Sequence, residues 1–66
     1  MIKLSELLNK VNEEQDTEII ISGVGRVQGE ADVLIRVLNS ETTSLVVSDI
    51  GVYEGHLQLW VEEEEE

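Results

Sequence analysis

The stretch "LVVSDIGVYEGHLQLWV", residues 45–61, constrains the fold more than any other part of the chain. Two runs of alternating apolar and polar residues flank Glu54-Gly55, and the glycine accepts the positive φ that a two-residue hairpin turn needs. A turn centred there pairs Tyr53 with His56, Val52 with Leu57 and Ile50 with Leu59. Because side chains alternate along a strand, Ile50, Val52, Leu57, Leu59 and Val61 share one face, while Asp49, Gly51, Tyr53, His56, Gln58 and Trp60 share the other. The aliphatic set marks the core side. Both aromatic residues of the chain, Tyr53 and Trp60, lie on the side the aliphatic core does not use.

Upstream, Leu4, Leu7, Leu8 and Val11 follow the i, i+3, i+4, i+7 spacing of one helical face. Ser5 is a candidate N-cap and Glu6 to Lys10 an i, i+4 pair, which predicts a helix from about Ser5 to Glu14. "NEEQD" is a polar connection. "TEIIIS" is a β-branched run suited to a buried strand, closed by Gly23 and Gly25, with a short returning strand through Arg26 to Gln28 completing a first hairpin. "ADVLIRVLN" fits two periods. As a helix it puts Ala31, Leu34, Ile35 and Leu38 on one face and pairs Asp32 with Arg36; as a strand it alternates Val33, Ile35 and Val37. The in-phase polar positions favour a short second helix over 31–39, with the strand still open. "NSETTS" reads as a polar loop. The fold class that follows is α+β: an N-terminal helix, a β-hairpin, a short second helix and a C-terminal β-hairpin. It forms a single small domain over residues 1–61 with an acidic tail at 62–66.

A chain of 66 residues buries a modest share of its surface, so its core is marginal and a homodimer that covers Tyr53 and Trp60 is one expected remedy. The usual staples of small folds are missing, since the chain has no cysteine and its single histidine cannot build a structural zinc site. Cysteine absence fits a reducing cytosol. No segment approaches the roughly 20 apolar residues of a membrane span, and "MIKLSELLNK" lacks the continuous apolar core of a signal peptide. A soluble, cytoplasmic protein without membrane attachment is expected.

Fifteen Asp and Glu stand against four Lys and Arg, a formal charge of −11. Without the five terminal glutamates, ten acids against four bases still leave −6, so acidity belongs to the domain as well as to the tail. Such a field opposes direct binding to nucleic acid or anionic lipid and favours encounters with a basic protein surface.

Three chemical patterns fail on inspection. "SGVGRVQGEADVLIRV" has the glycines of a phosphate-cradling turn between a strand and a helix, but the chain is too short for a doubly wound sheet and too acidic for phosphates. Ser48, Asp49 and His56 do not form a nucleophilic set, because alternation puts Ser48 on the aliphatic face, opposite the other two. "NEEQDTE" lacks the calcium-loop pattern and its glycine, leaving only weak cation binding by the tail. No catalytic residue, cofactor or specific metal site is expected, and the chain reads as a non-enzyme.

The candidate partner-binding residues are therefore those of the second hairpin face and its continuation: Asp49, Tyr53, Glu54, His56, Gln58, Trp60, Glu62 and Glu64. Trp and Tyr give large rigid contact area and dominate many interfaces. The same face is equally suited to plain structural cover by a helix or a second copy. A run of glutamates repels itself and has nothing apolar to bury, so it reads first as a solvated, disordered tail. If the last strand instead continues past Val61, then Glu62, Glu64 and Glu66 fall on the Trp60 side. Carboxylates two residues apart on a strand are spaced by about 6.6 Å, near the roughly 6.8 Å of two nucleotide rises along a DNA strand.

The order "MIKLSELLNKV", "TEIIIS", "SDIGVYEGHLQLWV" resembles the short acidic proteins encoded in phages and prophages of Gram-positive bacteria. These begin with a K-x-S-E-L-L helix and finish in an I-x-V-x-x-G-x-L-x-I-x-V hairpin. In outline the chain is also similar to two groups of small DNA-mimic inhibitors, the uracil-DNA glycosylase inhibitors and the acidic anti-CRISPR proteins. It departs from the former in length, and "EIIIS" keeps only the composition of their inserting Glu-Ser-Ile segment. The resemblance implies an inhibitor that occupies the basic, nucleic-acid-binding surface of a host or defence protein. The expectation from another class is a homo-oligomeric assembly accessory with Tyr53 and Trp60 buried between copies.

Overall fold

The computed structural model describes residues 2–64. Its elements run α1 (Leu4–Leu8), β1 (Asp16–Ile21), β2 (Gly25–Glu30), α2 (Ala31–Leu38), α3 (Glu41–Ser44), β3 (Leu45–Tyr53) and β4 (His56–Glu63). The α+β class and the order of helix, hairpin, second helix and hairpin agree with the sequence reading. The strands form one sheet in the order β2-β1-β4-β3. Each hairpin is antiparallel, and the two join through a parallel β1–β4 pair that sets Thr17 beside Leu57 and Ile21 beside Val61.

One face of this sheet holds the core. Leu4 and Leu8 of α1 and Ala31, Leu34 and Leu38 of α2 pack on Ile19 of β1, Leu45 and Val47 of β3, and Leu59 and Val61 of β4. No described helix covers the other face. Full burial of a leucine or isoleucine is worth about 1.5–3 kcal/mol, so these few side chains supply most of what a domain this small has to offset chain entropy.

α2 confirms the helical period of "ADVLIRVLN": Ala31, Leu34 and Leu38 are buried, and Asp32 pairs with Arg36 at 3.5 Å on the solvent side. Its N-cap residue, Glu30, makes no side-chain cap. Instead the first amides find main-chain acceptors, Ala31 donating to the Gln15 carbonyl and Asp32 to that of Glu13, each at 3.1 Å. Those bonds dock the helix start onto the segment between α1 and β1. Asn39 stops the helix with a φ of 48°, outside the helical region, while its amide still donates to the Ile35 carbonyl at 2.9 Å.

Five local expectations are corrected. The first helix ends at Leu8 rather than near Glu14, and its N-cap position is Lys3 rather than Ser5. Beyond it the chain tightens into turns, with Lys10 and Val11 donating to Leu7 and Leu8 and the Asn12 side chain accepting the Glu14 amide at 2.8 Å. That side-chain bond offers the backbone an alternative to helix, although the apolar spacing runs on to Val11. With Lys10 outside α1, Glu6 and Lys10 form no ion pair among the described residues. The "NSETTS" loop is in part helical: α3 is held by Thr42, Thr43 and Ser44 hydroxyls donating to carbonyls three residues back, and Thr42 is buried. The returning strand β2 is longer than Arg26 to Gln28, running Gly25–Glu30.

The second hairpin forms in the expected register, with Tyr53 opposite His56, Val52 opposite Leu57 and Ile50 opposite Leu59. Glu54 and Gly55 both take positive φ, 49° and 77°, matching the turn to the right-handed twist of the strands. The aliphatic face is not all core, however. α1 and α2 do not reach the tip of β3, and Val52 is left 77% exposed. A bulge between Val47 and Asp49 interrupts the β3 ladder, with the Ser48 hydroxyl donating to the Trp60 carbonyl at 3.0 Å.

The acidic tail does not begin at residue 62. Glu62 and Glu63 are strand residues paired with Val46 and Leu45, and the Glu64 amide donates to the Ser44 carbonyl at 2.9 Å. Lys3 approaches the Glu64 carboxylate at 3.8 Å. Cross-strand hydrogen bonds, which need no apolar side chain, thus order the start of the run. Glu65 and Glu66, including the expectation that Glu66 lies on the Trp60 side, fall outside the described residues.

Candidate functional site: the open sheet face

The face away from the helices is built by register. On β1, Asp16, Glu18 and Ile20 alternate with the inward Thr17 and Ile19. The parallel pairing sets Glu18 beside Gln58 and Ile20 beside Trp60. The β1–β2 hairpin adds Gln28 next to Glu18 and Arg26 next to Ile20. From β3 come Asp49 opposite Trp60, Gly51 opposite Gln58 and Tyr53 opposite His56.

Glu18 is the unexpected member. It lies on an uncovered face, yet only 6% of its surface is exposed. Gln58 Nε2 donates to its Oε1 at 2.8 Å, and Arg26 Nη1 donates to Oε2 at 3.3 Å. His56 stands beside it, with Nε2 3.9 Å from Glu18 Oε1 and Nδ1 2.8 Å from Asp16 Oδ2. Gln15 Nε2 continues this seam, donating to the Gly55 carbonyl at 2.6 Å. The polar residues of β1 and β4 therefore stitch the parallel pair together on its outer side. Glu18, Arg26, Gln28, Tyr53, Glu54, His56 and Gln58 line an open cavity of about 410 Å³ there.

Trp60 does not stand free on this face. A Cβ at Gly51 would lie 3.2 Å from Trp60 Cζ3 and 3.4 Å from Cη2, so the glycine is what lets the indole lean across the β3 backbone. The ring is half-buried as a result, whereas Tyr53 is 63% exposed. Asp49 serves its own strand: Oδ1 accepts the Ile50 amide at 2.9 Å.

Of the residues singled out by sequence, Tyr53, Glu54, His56 and Gln58 meet in one cavity. Asp49, Trp60 and Glu62 lie further along the same face, next to one another by register and alternation. Glu64 lies beyond β4, turned to Lys3 and Ser44. The sequence reading missed Asp16, Glu18, Arg26 and Gln28. The alternation of Glu18 with Ile19 is a signal for an outward carboxylate, masked by reading "TEIIIS" as a β-branched run suited to a buried strand.

Asp16 and Glu18 sit against different nitrogens of His56 and do not converge on a shared point. No group of three or more His, Cys, Asp or Glu placed to hold a metal ion occurs among the described residues. No described helix is long and apolar enough to cross a membrane. Comparison with protein families, curated proteins and solved structures finds no match to this chain.

Proposed function

We propose that the chain is a non-enzymatic acidic binding protein that lays its open sheet face on a basic, nucleic-acid-binding surface of another protein and so inhibits it. The observation that carries this reading is the composition of that face. Asp16, Glu18, Glu30, Asp49, Glu54 and Glu62 share that face or its rim with Tyr53 and Trp60, and Arg26 is a permanent positive charge among them. The total charge of −11 supports long-range attraction to a basic groove, and the exposed Tyr53 and half-buried Trp60 rings supply contact area once the surfaces meet. The proposed setting is the bacterial cytosol, in keeping with the resemblance to small acidic phage proteins.

The test is capture of partners from a bacterial lysate at low and high salt, followed by competition with nucleic acid. A basic partner that releases its nucleic acid when it takes up this chain is expected. A partner whose nucleic acid stays bound would sink the reading.

A second reading, self-association as an assembly accessory, draws on the exposed Tyr53 on the open face of β3 and on the exposed Ile50 and Val52 on its other face. Light scattering separates the two. A monomer at high micromolar concentration removes the second, whereas a stable dimer with a shielded Tyr53 favours it.

A further inference from the structure

We infer that the cavity over Glu18 is a receptor for a guanidinium group, the arginine side chain of a basic partner, and that Arg26 is the internal stand-in which occupies it when no partner is present. The inference rests on the proposed binding of a basic protein surface and names the contact that would recognise it.

Glu18 is the starting point. An ionised carboxylate offers about four acceptor sites, and a buried one is costly when they are unfilled. Here Oε1 receives one short bond, from Gln58 at 2.8 Å, while Oε2 receives one longer bond, from Arg26 at 3.3 Å. The carboxylate is almost wholly removed from water, yet each oxygen receives a single donor, and the oxygen that Arg26 reaches holds the longer bond. The Arg26 side chain is 74% exposed and donates through one nitrogen, without the paired, fork-like contact that a guanidinium can make. Arg26 itself stays largely in water and holds Glu18 by one long bond, so an incoming guanidinium can replace it at the carboxylate without leaving Oε2 empty.

The lining fits an incoming guanidinium better than other cations. Gln58 spends its amide nitrogen on Glu18, which leaves its carbonyl oxygen to accept a second N–H. Glu54 adds a carboxylate at the rim, and Tyr53 offers an exposed ring on which a planar cation stacks. An ammonium is a compact, strongly hydrated point charge that uses neither the ring nor the spaced acceptors as well. A metal ion would need convergent carboxylates, which this face does not provide.

The test uses the full chain and a defined probe. N-acetyl-arginine amide is titrated into labelled protein, with N-acetyl-lysine amide at the same ionic strength as the comparison. Saturable shifts of the Gln58 side-chain amide and the Tyr53 and His56 ring signals are expected with arginine and should be several-fold weaker with lysine. Arg26→Ala removes the internal competitor and should tighten arginine binding severalfold, with urea unfolding of the variant reporting what the loss of its bond to the buried Glu18 costs the fold. Glu18→Gln should abolish the shifts, while Glu13→Gln, which removes the same charge from the segment leading into β1, should preserve them. Equal shifts with lysine, or weaker binding in Arg26→Ala, would overturn the inference even if Glu18→Gln proves unstable. Capture of a basic partner without any arginine response removes the receptor alone. An arginine response without a basic partner removes the wider functional reading alone.

Discussion

Gln58 donates its side-chain amide to the Glu18 carboxylate at 2.8 Å across the parallel β1–β4 pair, joining residues forty positions apart in the chain. The bond runs along the junction between the two hairpins, on the side that no described helix covers. Asp16 with His56 and Gln15 with Gly55 repeat the same separation. These contacts favour one register of a parallel pair whose inner face is otherwise specified only by apolar contact.

Gln58→Leu therefore leaves Glu18 Oε1 without its short bond in a desolvated place. A loss of about 1–3 kcal/mol in urea unfolding is expected, the usual cost of an orphaned buried acceptor. Replacing both partners, Glu18→Leu with Gln58→Leu, should recover most of that loss. A single variant as stable as the parent would show that the seam contributes nothing.

Leu59 and Val52 separate core from edge on what alternation makes one face. Leu59 is fully buried and Val52 is 77% exposed. Leu59→Ala should cost about 2–5 kcal/mol, enough to unfold much of a domain this small. Val52→Thr should stay within about 0.5 kcal/mol. Thermal unfolding of the two variants checks the contrast, and comparable losses would place the tip of β3 in the core.

The first three glutamates of the run carry backbone bonds to the domain. Truncation after Val61 removes the Glu62 and Glu63 pairing with β3 and the Glu64 amide bond to Ser44. Net hydrogen bonds are worth about 0.5–1.5 kcal/mol each, and a domain of this size shifts by about 4–8 °C per kcal/mol. A fall of several degrees is expected despite the relief of self-repulsion, whereas truncation after Glu64 should leave the midpoint unchanged or slightly raised. Equal midpoints for the two truncations would mean that the last strand residues add no stability.

Binding kinetics to a captured basic partner should split by residue type. Asp49→Asn and Glu54→Gln remove exposed charges and should mainly slow association, with the rate falling as salt shortens the Debye length from about 10 Å at 0.1 M to about 3 Å at 1 M. Trp60→Ala removes a half-buried ring and should mainly speed dissociation. Surface-immobilised kinetics read both rates. Association that is the same at the two salt concentrations would contradict charge-led encounter.

Local chemistry made part of this molecule legible from its residues. The Glu54-Gly55 turn and the alternation on either side define the second hairpin, because positive φ at the turn and a period of two leave one sensible register. The phase of Ala31, Leu34, Leu38, Asp32 and Arg36 likewise identified α2. The end of α1 escaped because the apolar spacing through Val11 outlasts the helix, which gives way to turns and the bond between the Asn12 side chain and Glu14. The strand character of Glu62 and Glu63 escaped because backbone pairing does not depend on what their side chains bury.

By itself, then, the sequence determined the α+β class, the second hairpin with its outward aromatic face and the acidic character of the whole. Only the tertiary structure decided that β1 and β4 are parallel neighbours, that Glu18 is buried on an open face, that Gly51 lies under Trp60 and that Val52 is beyond the reach of the helices. The physical reason is range. Turn dihedrals and side-chain periodicity act within a few residues and are written locally, whereas burial and strand neighbours depend on segments forty residues apart that meet only when the sheet closes.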